Sequence, residues 1–277
     1  MAKPRTLIAG MGRLGEAAAS DLLAAGHEVI GINRRGTCEL SKVRMLALDL
    51  TQPIQEALPA IDNVVIALAP GARDPETYRE TYLGGVTHLL TGLAPASGRL
   101  LYVSSTVVYP QDDGGWIDEK SPVAAHNARA EVQLAAEAMV REAGARFAAG
   151  AVWLRLGGIY GPDRLGLLRR VRSGEPLPAA ATAYSNRISQ HDAARLVVHL
   201  LDPKLAAGCY LGVDQEPALM EDVVGWLARE LGVPEPGLSD AAPRGKRISS
   251  QRVQASGFRF TYPTYREGYR ELLPLLA

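Results

Sequence analysis

Leu7-Ile8-Ala9-Gly10-Met11-Gly12-Arg13-Leu14-Gly15 ends a short apolar run with a G-x-G-x-x-G spacing. Gly10 permits a tight turn, Gly12 lets backbone approach a pyrophosphate, and Gly15 lets the following helix pack close to the strand. The N–H groups that open such a helix lack partners within it, and its dipole favours anions there. The next apolar run ends in Asn33-Arg34-Arg35. A nicotinamide dinucleotide without a 2′-phosphate is usually held there by an acidic side chain on its ribose. Here the acid is replaced by Asn33, and a guanidinium suits a ribose 2′-phosphate instead. The spacing therefore predicts a dinucleotide site with NADP as cofactor and NAD as the alternative. Arg13 is placed to add to the phosphate pocket, and a solvated-loop role for Arg34 and Arg35 stays open.

Such a loop needs a strand before it and a helix after it, and the chain supplies both. Strand-like runs fall at Thr6–Ala9, His27–Ile32, Val43–Leu48, Asn63–Leu68, Arg99–Ser104 and Ala151–Leu156. Helical patterns lie between them at Gly15–Ala25, Pro75–Leu93 and Ala128–Glu142. Alternation of this kind predicts an α/β fold, a Rossmann doubly wound parallel sheet with helices on both faces. After Pro162 the pattern loosens. Leu177–Ala183 reads as irregular, Gln190–Leu201 as a helix capped near Ser189 or Asp192, Cys209–Val213 as a strand, Met220–Leu231 as a helix and Gly232–Lys246 as a loop. The expected division is a dinucleotide-binding domain over 1–164, to which the helix at 190–202 returns, and a smaller substrate lobe over 165–277 that closes over the sheet.

The chain has 277 residues, 47% hydrophobic, with 30 basic and 30 acidic side chains, enough to bury a core and without the signature of disorder. Zero net charge removes the electrostatic footprint of a nucleic-acid-binding protein. Cys38 and Cys209 are too few for a disulfide framework, no apolar run reaches membrane-spanning length, and Met1–Thr6 lacks a signal-peptide layout. The expectation is a cytoplasmic protein with a small-molecule substrate and neither nucleic-acid nor membrane partners. The five histidines show no metal-ligand spacing. Asp112-Asp113-Gly114-Gly115 reads as a solvated turn, and Arg169, Arg170 and Arg172 as a basic helix face.

Later segments carry a family resemblance. Val103-Ser104-Ser105-Thr106-Val107-Val108-Tyr109 resembles the S-S-x-x-V-Y segment of extended short-chain dehydrogenases/reductases, the NAD-dependent epimerase/dehydratase family. Arg155-Leu156-Gly157-Gly158-Ile159-Tyr160-Gly161-Pro162 resembles its R-x-x-x-x-Y-G-P stretch, and Gln190–Arg195 its H-V-D-D-V-A-R element. Gly245–Ser250 and Tyr262–Gly268 are similar to the tail of an atypical bacterial subgroup, the YeeZ-like proteins, which the chain resembles most closely. The motifs run in order along essentially the whole chain.

The resemblance implies roles for particular positions. Asp49, with Leu50, matches the contact to adenine. Ala67, Leu68 and Ala69 match the lining of the adenosine ribose, and Gly157, Gly158 and Ile159 the stretch beside the nicotinamide. Ser105 occupies the position of the catalytic serine that binds a substrate oxygen, with Thr106, Arg129 and Tyr160 as substrate residues. The family's usual partner is a Y-x-x-x-K pair on the next helix, whose tyrosine is the general acid/base. None of Lys3, Lys42, Lys120, Lys204 or Lys246 has a tyrosine four residues before it. Tyr109, His126 and Arg129 are the substitutes to weigh. Three readings follow: an oxidoreductase on an unidentified small substrate, a non-catalytic NADP(H)-binding redox sensor, and a nucleotide-sugar epimerase or dehydratase. Family members often pair through two helices, so monomer and homodimer both stand.

Overall fold

The structure, a computed structural model, describes residues 3–72, 74–239 and 245–276. Its main sheet has seven strands: β1 Arg5–Ala9, β2 Glu28–Asn33, β3 Arg44–Ala47, β4 Asn63–Ile66, β5 Leu100–Ser105, β6 Ala151–Leu156 and β7 Gly208–Gly212. They lie in the order β7-β6-β5-β4-β1-β2-β3. β1 pairs in parallel with β2 and β4, β2 with β3, and β4 with β5. This is the Rossmann-like parallel sheet that the alternation of apolar runs and helices predicts.

The chain builds β1, β2 and β3 to one side, then crosses back to place β4 on the other flank of β1. The loops after β1 and β4 therefore diverge, and a crevice opens at the ends of these strands. β1 and β4 are buried along nearly their whole length, as strands covered on both faces must be. Leu7, Ile30, Ile32, Val64, Ile66 and Leu100 from the strands share one core with Val86, Leu89, Ala136 and Val140 from helices.

The helices are α1 Arg13–Ala24, α2 Pro75–Arg79, α3 Gly85–Gly92, α4 Ala128–Ala143, α5 Gly166–Ser173, α6 Gln190–His199, α7 Met220–Leu231, α8 Gln251–Ala255 and α9 Tyr265–Arg270. The pattern over Pro75–Leu93 predicts one continuous helix. Instead α2 and α3 are joined by a π-helical segment, Glu80–Gly84, which ends on the weak helix former Gly84 and is followed by another, Gly85. α6 is capped by Ser189, whose Oγ accepts the Asp192 N–H at 2.9 Å. Asp192 is not the cap: its carboxylate accepts the N–H groups of Thr261 and Tyr262 at 2.8 and 2.9 Å.

By compactness the chain forms two units: 1–109, 122–155 and 194–210 in the first, and 110–121, 156–193 and 211–277 in the second. The boundary falls at Leu156, not 164, and the second unit also takes 110–121. Two readings of the second unit are corrected by a long-range pairing. Leu177–Ala180, read as irregular, is a strand, and it pairs in parallel with Leu238–Ser239 from the segment read as loop. Residues 240–244 of that segment, and Met1 and Ala2 of the N-terminal reading, lie outside the described residues. The second unit has its own core, in which Leu168, Val171, Val223 and Leu227 pack with Tyr160, Tyr265 and Tyr269. No helix among the described residues is long and apolar enough to cross a membrane.

Candidate functional site

The parallel strands deliver the loops after β1, β2, β3 and β4 to one edge of the sheet, and together they line a cavity of about 480 Å³. Gly10, Met11 and Gly12 come from the first loop, Asn33, Arg34 and Arg35 from the second, Asp49 and Leu50 from the third, and Ala67, Leu68 and Ala69 from the fourth. Arg13, Leu14 and Gly15 open α1 and are not lining residues.

The glycine loop has a physical account at each position. Gly10 holds φ +102°, and a Cβ there would lie 2.3 Å from the Ala67 carbonyl oxygen. A Cβ on Gly15 would lie 2.3 Å from the Gly10 carbonyl oxygen, so helix and loop touch through backbone. Gly12 meets nothing within 4 Å of an added Cβ, and it opens α1 without a side-chain cap. A helix start without a side-chain cap is a place where an anion can complete first-turn N–H groups. Met11 turns inward: an added Cβ on Gly31 of β2 would lie 2.5 Å from its Cγ.

Asn33 has a different task from the one its position suggests. Its Oδ1 accepts the Gly36 N–H at 2.7 Å and its Nδ2 donates to the Thr37 carbonyl at 2.8 Å, so the side chain builds the turn after β2. Arg34 and Arg35 have no carboxylate within ion-pair distance among the described residues, and both reach the cavity. Asp49 Oδ1 accepts the N–H and hydroxyl of Thr51 at 3.0 and 2.8 Å, holding the turn after β3. Thr51 and Thr81 also line the cavity and were not anticipated. Thr81 arrives on the π-helical segment, which sequence periodicity does not reveal.

Ser105 ends β5 half-buried, and its Oγ accepts the Val107 N–H at 3.2 Å, capping the turn Thr106–Val108. The neighbouring Ser104 points into the core, where its Oγ donates to Glu137 at 2.6 Å. Glu137 is also bonded by Arg155 Nε at 2.9 Å and Nη2 at 2.6 Å, and Arg155 Nη1 donates to the Tyr109 hydroxyl at 2.7 Å. Burial works against the Arg155 charge, but the Glu137 hydrogen bonds hold it above the usual arginine range. Tyr109 is fully buried, which removes it as a proton donor to a substrate. His126 is exposed, with Nδ1 at 3.0 Å from the Ala124 carbonyl. Arg129 is exposed on the first turn of α4, its guanidinium 5.9 Å from the centre of the Tyr78 ring.

In the second unit, Gly157 donates its N–H to Gly212 at 3.0 Å and Gly158 to Asn186 at 2.9 Å, while Ile159 pairs with Ile188. A Cβ on Gly157 would meet Val213 at 2.8 Å, so packing within this unit accounts for that glycine. Tyr160 is buried and stacked on Tyr269 with ring centres 4.4 Å apart, a core position and not a substrate contact. Burial pushes its hydroxyl above the usual tyrosine range. Asp113 accepts the Gly115 N–H at 2.9 Å in the anticipated turn, and Arg172 donates to the Leu276 carbonyl. No group of three metal-ligating side chains occurs among the described residues.

The family model described as the NAD dependent epimerase/dehydratase family matches residues 6–202. A Methylobacillus flagellatus protein described as an NAD-dependent epimerase/dehydratase is 32% identical, with a TM-score of 0.85 over 99% of both chains. The human epimerase family protein SDR39U1, solved with NADPH, is 20% identical, with a TM-score of 0.79 over 98% of this chain and 99% of that one. UDP-glucose 4-epimerase of Thermus thermophilus, solved with NAD, is 22% identical, with a TM-score of 0.76 over 96% of each. No curated protein sequence matches the chain.

Proposed function

The chain belongs to the NAD-dependent epimerase/dehydratase family, and from that premise we propose that it is an NADP-binding oxidoreductase acting on a small substrate through Ser105. One observation carries the cofactor choice: the cavity at the strand ends holds Arg34 and Arg35, neither within ion-pair distance of a carboxylate among the described residues, with no acidic side chain at the end of β2. The cofactor fits the cradle, because added side chains at Gly10 or Gly15 would collide with backbone while Gly12 stands open. Gly10–Gly12 and the start of α1 would hold the pyrophosphate, Asp49 and Leu50 the adenine, Ala67–Ala69 the adenosine ribose, and Arg34 the 2′-phosphate. When bound, the nicotinamide supplies or accepts a hydride.

The rest falls to the chain's own residues. Ser105 would donate its hydroxyl proton to a substrate oxygen while its lone pair holds the Val107 N–H. The Ser104–Glu137–Arg155 network fixes the strand end from which Ser105 projects. Gly157–Ile159 and Thr106 retain their proposed places beside nicotinamide and substrate. The likeness to the YeeZ-like subgroup rests on the two tail segments. A reducing, cytoplasmic setting is proposed from cysteine usage, since two cysteines are too few for a disulfide framework. Without a tyrosine–lysine pair, proton transfer has lost a group worth about 10²–10⁴-fold, so turnover should be slow.

A panel of carbonyl and imine compounds, followed by single-turnover NADPH oxidation, tests the activity. Turnover that falls in Ser105→Ala supports the assignment, and turnover indifferent to Ser105→Ala removes the serine from it. If no compound turns over while NADP(H) still binds, the redox-sensor reading replaces the enzyme.

A further inference from the structure

A second cavity, of about 690 Å³, opens in the first unit between α2 and the start of α4. Val107 lines it, and the Val107 N–H is the group bonded to Ser105 Oγ at 3.2 Å, so the cavity adjoins the candidate serine. Pro75, Val107 and Val132 give it apolar walls. Its charged residues are Glu76, Arg79 and Arg129, a net charge of one positive (two minus one). Arg79 is partly answered by Glu131 at 3.6 Å. Arg129 has no carboxylate within ion-pair distance among the described residues, and the ring beneath it belongs to Tyr78.

That ring is anchored from the core. The Tyr78 hydroxyl accepts Gln133 Nε2 at 3.0 Å, and Gln133 Oε1 accepts the hydroxyl of the fully buried Tyr102 at 2.7 Å. Tyr78 therefore uses a lone pair toward Gln133, which fixes the orientation of its ring. A guanidinium over a fixed ring and apolar walls suit a ligand with one charged end and one greasy end.

We propose that this cavity is the substrate pocket and takes a small organic anion, a carboxylate or phosphate monoester on an apolar body. Its charged group is held by Arg129 and its body by Val107, Val132 and the Tyr78 ring. The substrate role rests on the oxidoreductase reading above, whereas the binding chemistry can be measured without it. Benzoate, phenyl phosphate and the neutral benzamide are titrated into the full chain by calorimetry, with no nucleotide present. At least one anion should bind at least tenfold more tightly than benzamide, since a charge-assisted bond is what distinguishes them. Arg129→Gln, at an exposed position that leaves the core untouched, should cost that anion tenfold or more. Arg141→Gln, farther along α4 where the guanidinium sits 4.9 Å from the Trp153 ring centre, should leave it unchanged. Absence of anion binding, equal affinity for benzamide, or equal losses in the two variants overturns the proposal. A wild-type chain that binds benzoate but not NADPH would refute the nucleotide reading and leave this pocket standing.

Discussion

Replacing Glu137 by glutamine strikes the strand end that carries Ser105 without touching the cavities. Glu137 is fully buried and the Arg155 side chain is only 5% exposed, so neither charge is answered by water. Two Arg155 nitrogens and the Ser104 hydroxyl converge on the Glu137 carboxylate. Glutamine keeps the shape but leaves the guanidinium without a counter-charge and sets an amide donor against it. Stranding a buried charge in this way costs about 3–5 kcal/mol. At roughly 2–4 °C per kcal/mol for a chain of this size, melting of the main sheet should fall by about 6–20 °C. Thermal unfolding followed by circular dichroism measures it. The double variant Glu137→Met with Arg155→Met removes both charges and should lose less than Glu137→Gln alone, despite the acceptor lost to Ser104. A Glu137→Gln melt within about 2 °C of wild type, or a double variant worse than the single, would show that the pair is not a dry, mutually dependent ion pair.

Other consequences are as open to test. Gly15→Ala places a Cβ 2.3 Å from the Gly10 carbonyl oxygen, so the loop must shift; overpacking of this kind costs about 1–3 kcal/mol, and calorimetry should find NADPH affinity lowered at least tenfold. Asp214 in the second unit is raised to about 8, chiefly by burial. The folded form then binds a proton that the unfolded chain releases near pH 4, so this group's stabilising contribution is full below that pH and is lost as pH rises to about 8. Asp214→Asn should flatten that part of the stability–pH curve; denaturant midpoints that fall in parallel for both proteins from pH 4 to 8 would contradict it.

The sheet was legible because its first six strands are short apolar runs, with helical patterns following the first, fourth and fifth, and the glycine loop was legible because backbone clearance leaves a direct mark on residue type. The pairing of Leu177–Ala180 with Leu238–Ser239 was not, since two short segments so far apart carry no shared local pattern. Asn33 stands where a ribose ligand is expected, but its amide is consumed by the Gly36–Thr37 turn, a competition that only geometry reveals. Arg155 offered an unread signal: a charge inside the apolar strand Ala151–Leu156 must find a buried partner, and Glu137 on α4 is that partner. Tyr109 looked available because its motif sits at a strand end, yet burial and the Arg155 bond take it out of reach.

The central claim, that the cavity at the strand ends is an NADP site, is tested most directly by titrating the wild-type chain and Arg34→Ala with NADPH and NADH in parallel. A charge-assisted contact to the 2′-phosphate is worth about 1.5–3 kcal/mol, so wild type should prefer NADPH by roughly ten- to hundredfold. Arg34→Ala should lose most of that preference by weakening NADPH alone. Equal affinities in the wild type, a preference for NADH, or an NADPH preference that survives Arg34→Ala unchanged would contradict the account.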